Sequence, residues 1–321
     1  MFKFKKPQTQ SLSFITEITS KINIKLLITL ICLLFIGNSI YANFEELASQ
    51  VITTKDFIWL LWAIIFSFLS IIINAYAWKL LINSIAFNSN KMNIIKIFLT
   101  TNIYKYLPGG VWHFVSRYKI LRLKISKQKS LESILLEPLL MLVAALIFIP
   151  FGSFDIHIYI ICWSSTLVFL PAFRKIIVNK LKAMKTTFIS ETQKVNSENV
   201  VQDSQINFSV IVYPYKPLFV EVIFILFRFF GFYCCINVFS DGSLISLGPL
   251  LSSFSLAWII GLIVPAAPGG LGVFESVVLV GLGSNLPEVS LLASLLCYRF
   301  VSTLSDIFAA LVYPIKRLIR I

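Results

Sequence analysis

No charged residue occurs from Phe57 through Trp78, and that run is long enough to cross a lipid bilayer as one helix. A span of about 20 mainly apolar residues suffices for the crossing. Comparable runs cover Ile24–Tyr41, Ile134–Ile149, Ile156–Pro171, Leu218–Phe239 and Val289–Tyr313. Hydrophobic residues make up 57% of the chain and charged ones 13%, which leaves too little polar surface to coat a water-soluble globule. The expected fold is all-α, a polytopic integral membrane protein.

Two further apolar stretches, near Ile94–Leu121 and Leu250–Leu282, are interrupted by the same tripeptide, Pro108-Gly109-Gly110 and Pro268-Gly269-Gly270. Proline removes a backbone donor and stops a helix; glycine admits turns and close backbone approach. Non-helical backbone at membrane depth survives only where protein or trapped water satisfies its polar groups. The two stretches therefore read as broken hairpins lining a polar cavity, the sequence signature of a transporter-type site. Each break lies about 50 residues after the start of a long span, Phe57 or Leu218, and each is followed by another span. The expectation is six full spans plus two broken hairpins, arranged as an inverted repeat.

Loop charge sets the direction of each crossing. With the N-terminus inside, the outer loops are Asn43–Asp56, Pro150–Asp155, Ser240–Leu247 and Ser284–Glu288. They hold Lys55 against Glu45, Glu46, Asp56, Asp155, Asp241 and Glu288. Nearly all other Lys and Arg fall on the inner side, as the positive-inside rule requires. Both termini are thus expected in the cytoplasm and the protein in the cell membrane. The formal net charge of +13 is topological, with attraction to anionic inner-leaflet lipid as an addition, and does not point to nucleic acid. Under this assignment Phe57–Trp78 and Leu218–Phe239 cross in opposite senses.

The expected organisation is a polar, basic tail over 1–23, a first membrane half over 24–173, a cytoplasmic linker over 174–217 and a second membrane half over 218–321. The linker opens with Arg174, Lys175, Lys180, Lys182 and Lys185, then turns rich in Ser, Asn and Gln, a composition that cannot build a core of its own. At the N-terminus, Ile40-Tyr41-Ala42 resembles a signal-peptidase site. The long basic region before it and the spanning length of the apolar run favour a retained first helix.

Around the first break the sequence runs Tyr104-Lys105-Tyr106-Leu107-Pro108-Gly109-Gly110-Val111-Trp112-His113-Phe114-Val115-Ser116-Arg117. The helix that resumes after the glycines offers free N–H groups to an anion, and Lys105 and Arg117 add positive charge, a set that suits a phosphate headgroup. The same residues also fit a plain cytoplasmic turn with interfacial Tyr and Trp anchors. The second break reads Pro265-Ala266-Ala267-Pro268-Gly269-Gly270-Leu271-Gly272-Val273-Phe274-Glu275. Glu275 falls in the first turns of the resumed helix, where the dipole favours a carboxylate. An ionisable residue at that depth is a functional candidate. It equally suits a structural ion pair with Arg299 or Arg228, and the two roles are compatible.

Other charges inside apolar segments are Glu137, beside Pro138, and Glu221, Arg228, Arg299 and Asp306. Isolated charge there costs roughly 3 kcal/mol or more, so Arg228 and Arg299 must face partners or a wet cavity. Glu221 is expected nearer the inner interface, in solvent. Asn74 reads as an interhelical hydrogen bond. Cys32, Cys162, Cys234, Cys235 and Cys297 lie in apolar segments without metal-ligand spacing, and His113 and His157 lack a second ligand at useful spacing. No nucleotide-binding loop follows either break. No cofactor, metal or catalytic residue is assigned, and the chain reads more as a transporter than as an enzyme.

The two motifs, Tyr-Leu-Pro-Gly-Gly-Val-Trp with its following Arg and Ala-Pro-Gly-Gly-Leu-Gly-Val-Phe-Glu, resemble the flippase-like transmembrane region of lysylphosphatidylglycerol synthase, the multiple peptide resistance factor family. The resemblance covers roughly Phe57 to Tyr313, leaves the Arg174–Lys216 linker unaccounted for, and implies a stand-alone member without the soluble aminoacyl-transfer domain. It implies movement of a membrane lipid between leaflets: a phospholipid, a glycolipid or a polyprenyl-phosphate lipid of a cell-envelope pathway, with envelope-biosynthesis enzymes as possible partners. Carried over by motif, the site residues are Pro108, Gly109, Gly110, Arg117, Pro268, Gly269, Gly270, Gly272 and Glu275. Arg228 and Arg299 join them from intramembrane charge alone. Without an ATP site, movement would be downhill or driven by potential or protons, with Glu275 or Glu137 as proton carriers. Two rivals remain: an integral-membrane glycosyltransferase using a polyprenyl-phosphate sugar donor through Glu45 and Glu46, and a scaffold recruiting envelope enzymes through the linker.

Overall fold

Bulky side chains on one face of a helix and small ones on the other mark a helix that meets lipid on the first face and protein on the second. Helix α1, Thr54–Ile85, has this division in a computed structural model of the chain. Phe57, Ile58, Leu61 and Trp62 are exposed, whereas Ala63, Ser67, Ser70, Asn74 and Ala75 are buried. The structure describes residues 54–85, 93–107, 111–152, 155–170, 213–240, 246–264, 272–283 and 286–312, with the isolated positions Asn38, Tyr41 and Glu45.

After α1 come α2 (Ile94–Asn102), a 3-10 turn over Ile103–Tyr106, α3 (Trp112–Leu121) and α4 (Lys127–Leu146). They are followed by a second 3-10 turn, Ile149–Gly152, then α5 (Ile156–Ser164), which runs into a third, Ser165–Phe169. The second half holds α6 (Tyr215–Phe239), α7 (Leu247–Ile263), α8 (Val273–Leu282) and α9 (Glu288–Leu311). No strand occurs among the described residues. Among the described residues, four helical stretches are long and apolar enough to cross a membrane: Asp56–Ile85, Lys127–Gly152, Tyr215–Phe239 and Glu288–Leu311. The chain is a multi-pass membrane protein.

Four of the six expected spans therefore coincide with such helices. The expected span Ile24–Tyr41 lies outside the described residues, apart from isolated positions. The stretch expected as a span over Ile156–Pro171 is instead a short α-helix that tightens into 3-10 geometry. A local cause of its end is visible. Leu170, which precedes Pro171, is extended at ψ 146°, as a residue before proline must be.

Each expected broken hairpin has a helix on either side of its tripeptide, α2 and α3 in the first and α7 and α8 in the second, and the tripeptides lie outside the described residues. Leu107, before Pro108, is extended at ψ 145°, so the chain leaves helical geometry one residue ahead of the proline. Gly272, at the other break, has φ 91°, a left-handed conformation that glycine adopts without steric cost.

The packing of one half repeats in the other. Helix α1 lies along α6 as the central pair; α9 packs on both, and so does α4. Helix α9 reaches across to α2, and α4 reaches across to α7. Exchanging α1 with α6, α2–α3 with α7–α8, and α4 with α9 thus returns the same set of neighbours. The central pair approaches closely where Gly231 meets Ala63 and Ser67. A Cβ added at Gly231 of α6 would stand 2.7 Å from the Ser67 hydroxyl of α1. In lipid, where the hydrophobic effect gives helices no reason to associate, such close packing and interhelical hydrogen bonds supply the attraction.

Candidate functional site: three buried ion-pair clusters

Charges carried into an apolar bundle must find partners, and those of this chain gather in three places. The first joins α3 to α4. Arg117 donates through one terminal nitrogen to both carboxylate oxygens of Glu137, at 2.6 and 2.7 Å. Its Nε donates to the Thr101 hydroxyl of α2 at 3.2 Å. The guanidinium lies 3.8 Å from the centre of the Phe98 ring and 5.1 Å from that of Trp78. Each member of the pair is buried, and Glu137 directly precedes Pro138, which lies inside α4.

The second joins α8 to α9. Glu275, in the first turn of α8, accepts a hydrogen bond from the Gly272 N–H at 2.8 Å and so caps the helix after the break. Its other oxygen is bonded to Arg299 of α9, whose guanidinium lies 5.0 Å from the Phe274 ring centre. Of the two arginines considered as partners for Glu275, the structure joins it to Arg299.

The third crosses between the halves. Asp306 of α9 is fully buried and accepts from Asn102 of α2 at 2.8 Å and from the Tyr106 hydroxyl at 2.6 Å. Lys105 pairs with it at 2.6 Å. Arg228 of α6 approaches the same carboxylate at 3.8 Å, beyond hydrogen-bond distance.

Lys105 and Arg117, expected as charges open to an anion beside the first break, are each engaged with a carboxylate. Glu221, expected in solvent, is buried. It lies on the same face of α6 as Arg228, two turns away, and that face packs against α4, placing Glu221 in the electrostatic field of Glu137 and Arg117. Helix α6 thus carries one charged residue toward the first cluster and one toward the third. Asn74 is buried with its Oδ1 unbonded among the described residues. Glu45 is exposed. Pro108, Gly109, Gly110, Pro268, Gly269, Gly270 and Glu46 lie outside the described residues, so the flanks of the breaks are placed and the tripeptides themselves are not.

Asp306 is the member of the site that sequence reasoning noted without selecting. A carboxylate deep in a span whose other interior charge is Arg299 was one available signal. The other was the spacing of its donors: Asn102, Lys105 and Tyr106 fall at i, i+3 and i+4, one face of a helical turn.

Helices packed around a central pair, with buried charge clusters between them, define a polytopic α-helical membrane protein. The sequence profile described as the lysylphosphatidylglycerol synthase TM region matches residues 22–310. The chain belongs to this family, and membership ties it to membrane lipids. No curated protein matches it in sequence.

Proposed function

We propose that this protein is a lipid translocase that moves an anionic or modified membrane lipid between leaflets of the cell membrane, in a cell-envelope pathway. Phospholipids, glycolipids and polyprenyl-phosphate lipids are its candidate cargo. The observation that carries the reading is the bond of the first hairpin to the far half through Asp306, while each hairpin is held to its own half by a second ion pair, Arg117–Glu137 or Glu275–Arg299. A hairpin tied on both sides by charge can be released on one side and stay anchored on the other. Such a two-position element is what alternating access requires.

The headgroup would travel along the polar flanks of the breaks while its tails stay in lipid. The repeated packing of the two halves supports opposed hairpins in an inverted arrangement, with both termini in the cytoplasm by the loop-charge count. No ATP site is assigned, so the driving force is the lipid gradient, the membrane potential or protons.

The test is headgroup accessibility in proteoliposomes containing fluorescent phospholipids or polyprenyl-phosphate lipids, read with an impermeant quencher. The reading expects protein-dependent loss of inner-leaflet protection for at least one anionic lipid. Equal protection with and without protein, across both lipid classes, contradicts it.

A further inference from the structure

The Asp306 cluster is unbalanced in charge and in hydrogen bonds. Lys105 and Arg228 bring two positive charges to one carboxylate, while Arg299, which lies in the electrostatic range of Lys105, is already bonded to Glu275. Among the described residues the cluster therefore retains one positive charge, inside an apolar bundle where uncompensated charge is costly.

The hydrogen-bond count shows where that charge resides. Asn102, Lys105 and Tyr106 are the close donors to Asp306 at 2.6–2.8 Å, one on Oδ1 and two on Oδ2. Arg228, only 4% exposed, is left at 3.8 Å with its Nε unbonded among the described residues. Trp258 and Phe224 hold its guanidinium in place, their ring centres 5.8 and 5.9 Å away. A buried guanidinium flanked by aromatic rings, with the Tyr298 hydroxyl as a neutral neighbour and its Nε unbonded among the described residues, can receive an anion.

We propose that Arg228 and Lys105 form a binding site for a monoanionic phosphate ester, in which Asp306 is the resident counter-ion. A phosphodiester carries one negative charge, which neutralises the cluster, and its two free oxygens can take the Nε and a terminal nitrogen of Arg228 in a bidentate pair. Lys105 then turns from Asp306 toward the incoming anion. The move breaks the ion pair between the first hairpin and α9 and leaves the Asn102 and Tyr106 hydrogen bonds to Asp306, so binding weakens the hold on the hairpin. This site deepens the translocase reading by naming the charged group of its cargo.

The test is equilibrium binding of radiolabelled dihexanoylphosphatidylglycerol to the full chain in detergent. Unlabelled dihexanoylphosphatidylcholine, glycerophosphoglycerol and inorganic phosphate serve as competitors. Saturable binding that the zwitterionic lipid does not displace, and that weakens at least tenfold in Arg228→Gln while Arg228→Lys keeps part of it, supports the site. Displacement by glycerophosphoglycerol assigns recognition to the phosphodiester itself, displacement by inorganic phosphate alone to free phosphate, and displacement by neither to a headgroup read together with its chains. If Arg228→Gln does not yield a monodisperse protein, Lys105→Gln is measured in its place, with a several-fold loss expected. Unchanged binding in the folded variant, or equal competition by phosphatidylcholine, overturns the site. The measurement involves no leaflets. Binding without translocation would therefore refute the translocase reading alone, and translocation with binding untouched by Arg228→Gln would refute the site alone.

Discussion

The ion pairs Arg117–Glu137 and Glu275–Arg299 occupy matching places in the two halves, and their polarity is reversed. In the first half the helix after the break supplies the cation and the next long helix the carboxylate; in the second half the roles are exchanged. Their surroundings differ too. The Arg117 side chain is 1% exposed and also bonded to Thr101, whereas the Arg299 side chain is 22% exposed. Equivalent positions have thus been filled by different chemistry. What the architecture demands is that the resumed helix be tied to the next one by charge, in whichever order. By exposure the pair in the first half is closed from its surroundings and the pair in the second half is the more open.

That contrast predicts graded effects. Arg117→Met leaves Glu137 buried without its partner and should cost about 3–5 kcal/mol, read as a large drop in thermal unfolding temperature or loss of folded protein in detergent. The charge-exchanged double variant, Arg117→Glu with Glu137→Arg, would give the first half the polarity of the second and should recover part of the loss; no recovery would show that the surroundings, not the pair, fix the order. Glu275→Gln keeps an acceptor for the Gly272 N–H but removes the charge from Arg299, at a cost of about 1–3 kcal/mol. The variant should fold, and translocation should fall to background if Glu275 carries the coupling proton.

Two smaller effects probe the scaffold shared by the halves. Gly231→Ala presses a methyl group toward Ser67 across the central helix pair and should cost about 1–3 kcal/mol, measurable in the same unfolding assay. The helices that follow the hairpins also differ at their starts. Ser126 caps α4 by accepting from the Lys129 N–H at 3.4 Å, whereas Pro287 offers α9 no side-chain cap. Ser126→Ala should therefore cost about 1 kcal/mol or less.

Much of this architecture was legible in the chain because lipid imposes few solutions. The uncharged run after Asp56 and the prolines before the paired glycines could only mean spans and breaks. The position of Glu275 in the first turn of α8 followed from its distance to Pro268. Partner choice was not legible. Glu275 could have met Arg228 as well as Arg299, and only the packing of α8 on α9 decides between them. Likewise Ile156–Pro171 has the hydropathy of a span, yet the chain turns extended at Leu170, ahead of Pro171. Glu221 was misplaced because its depth along α6 says nothing about which neighbour α6 turns it toward. The Asp306 cluster draws on α2, α6 and α9, elements brought together only by the exchange of neighbours between halves.

The most direct measurement is translocation of a fluorescent anionic lipid in proteoliposomes by wild-type protein and by Gly269→Leu/Gly270→Leu, with matched incorporation and unfolding temperature. The account predicts rapid loss of inner-leaflet protection with wild type and none above protein-free vesicles with the variant. Equal rates for the two proteins would contradict passage through the broken hairpins.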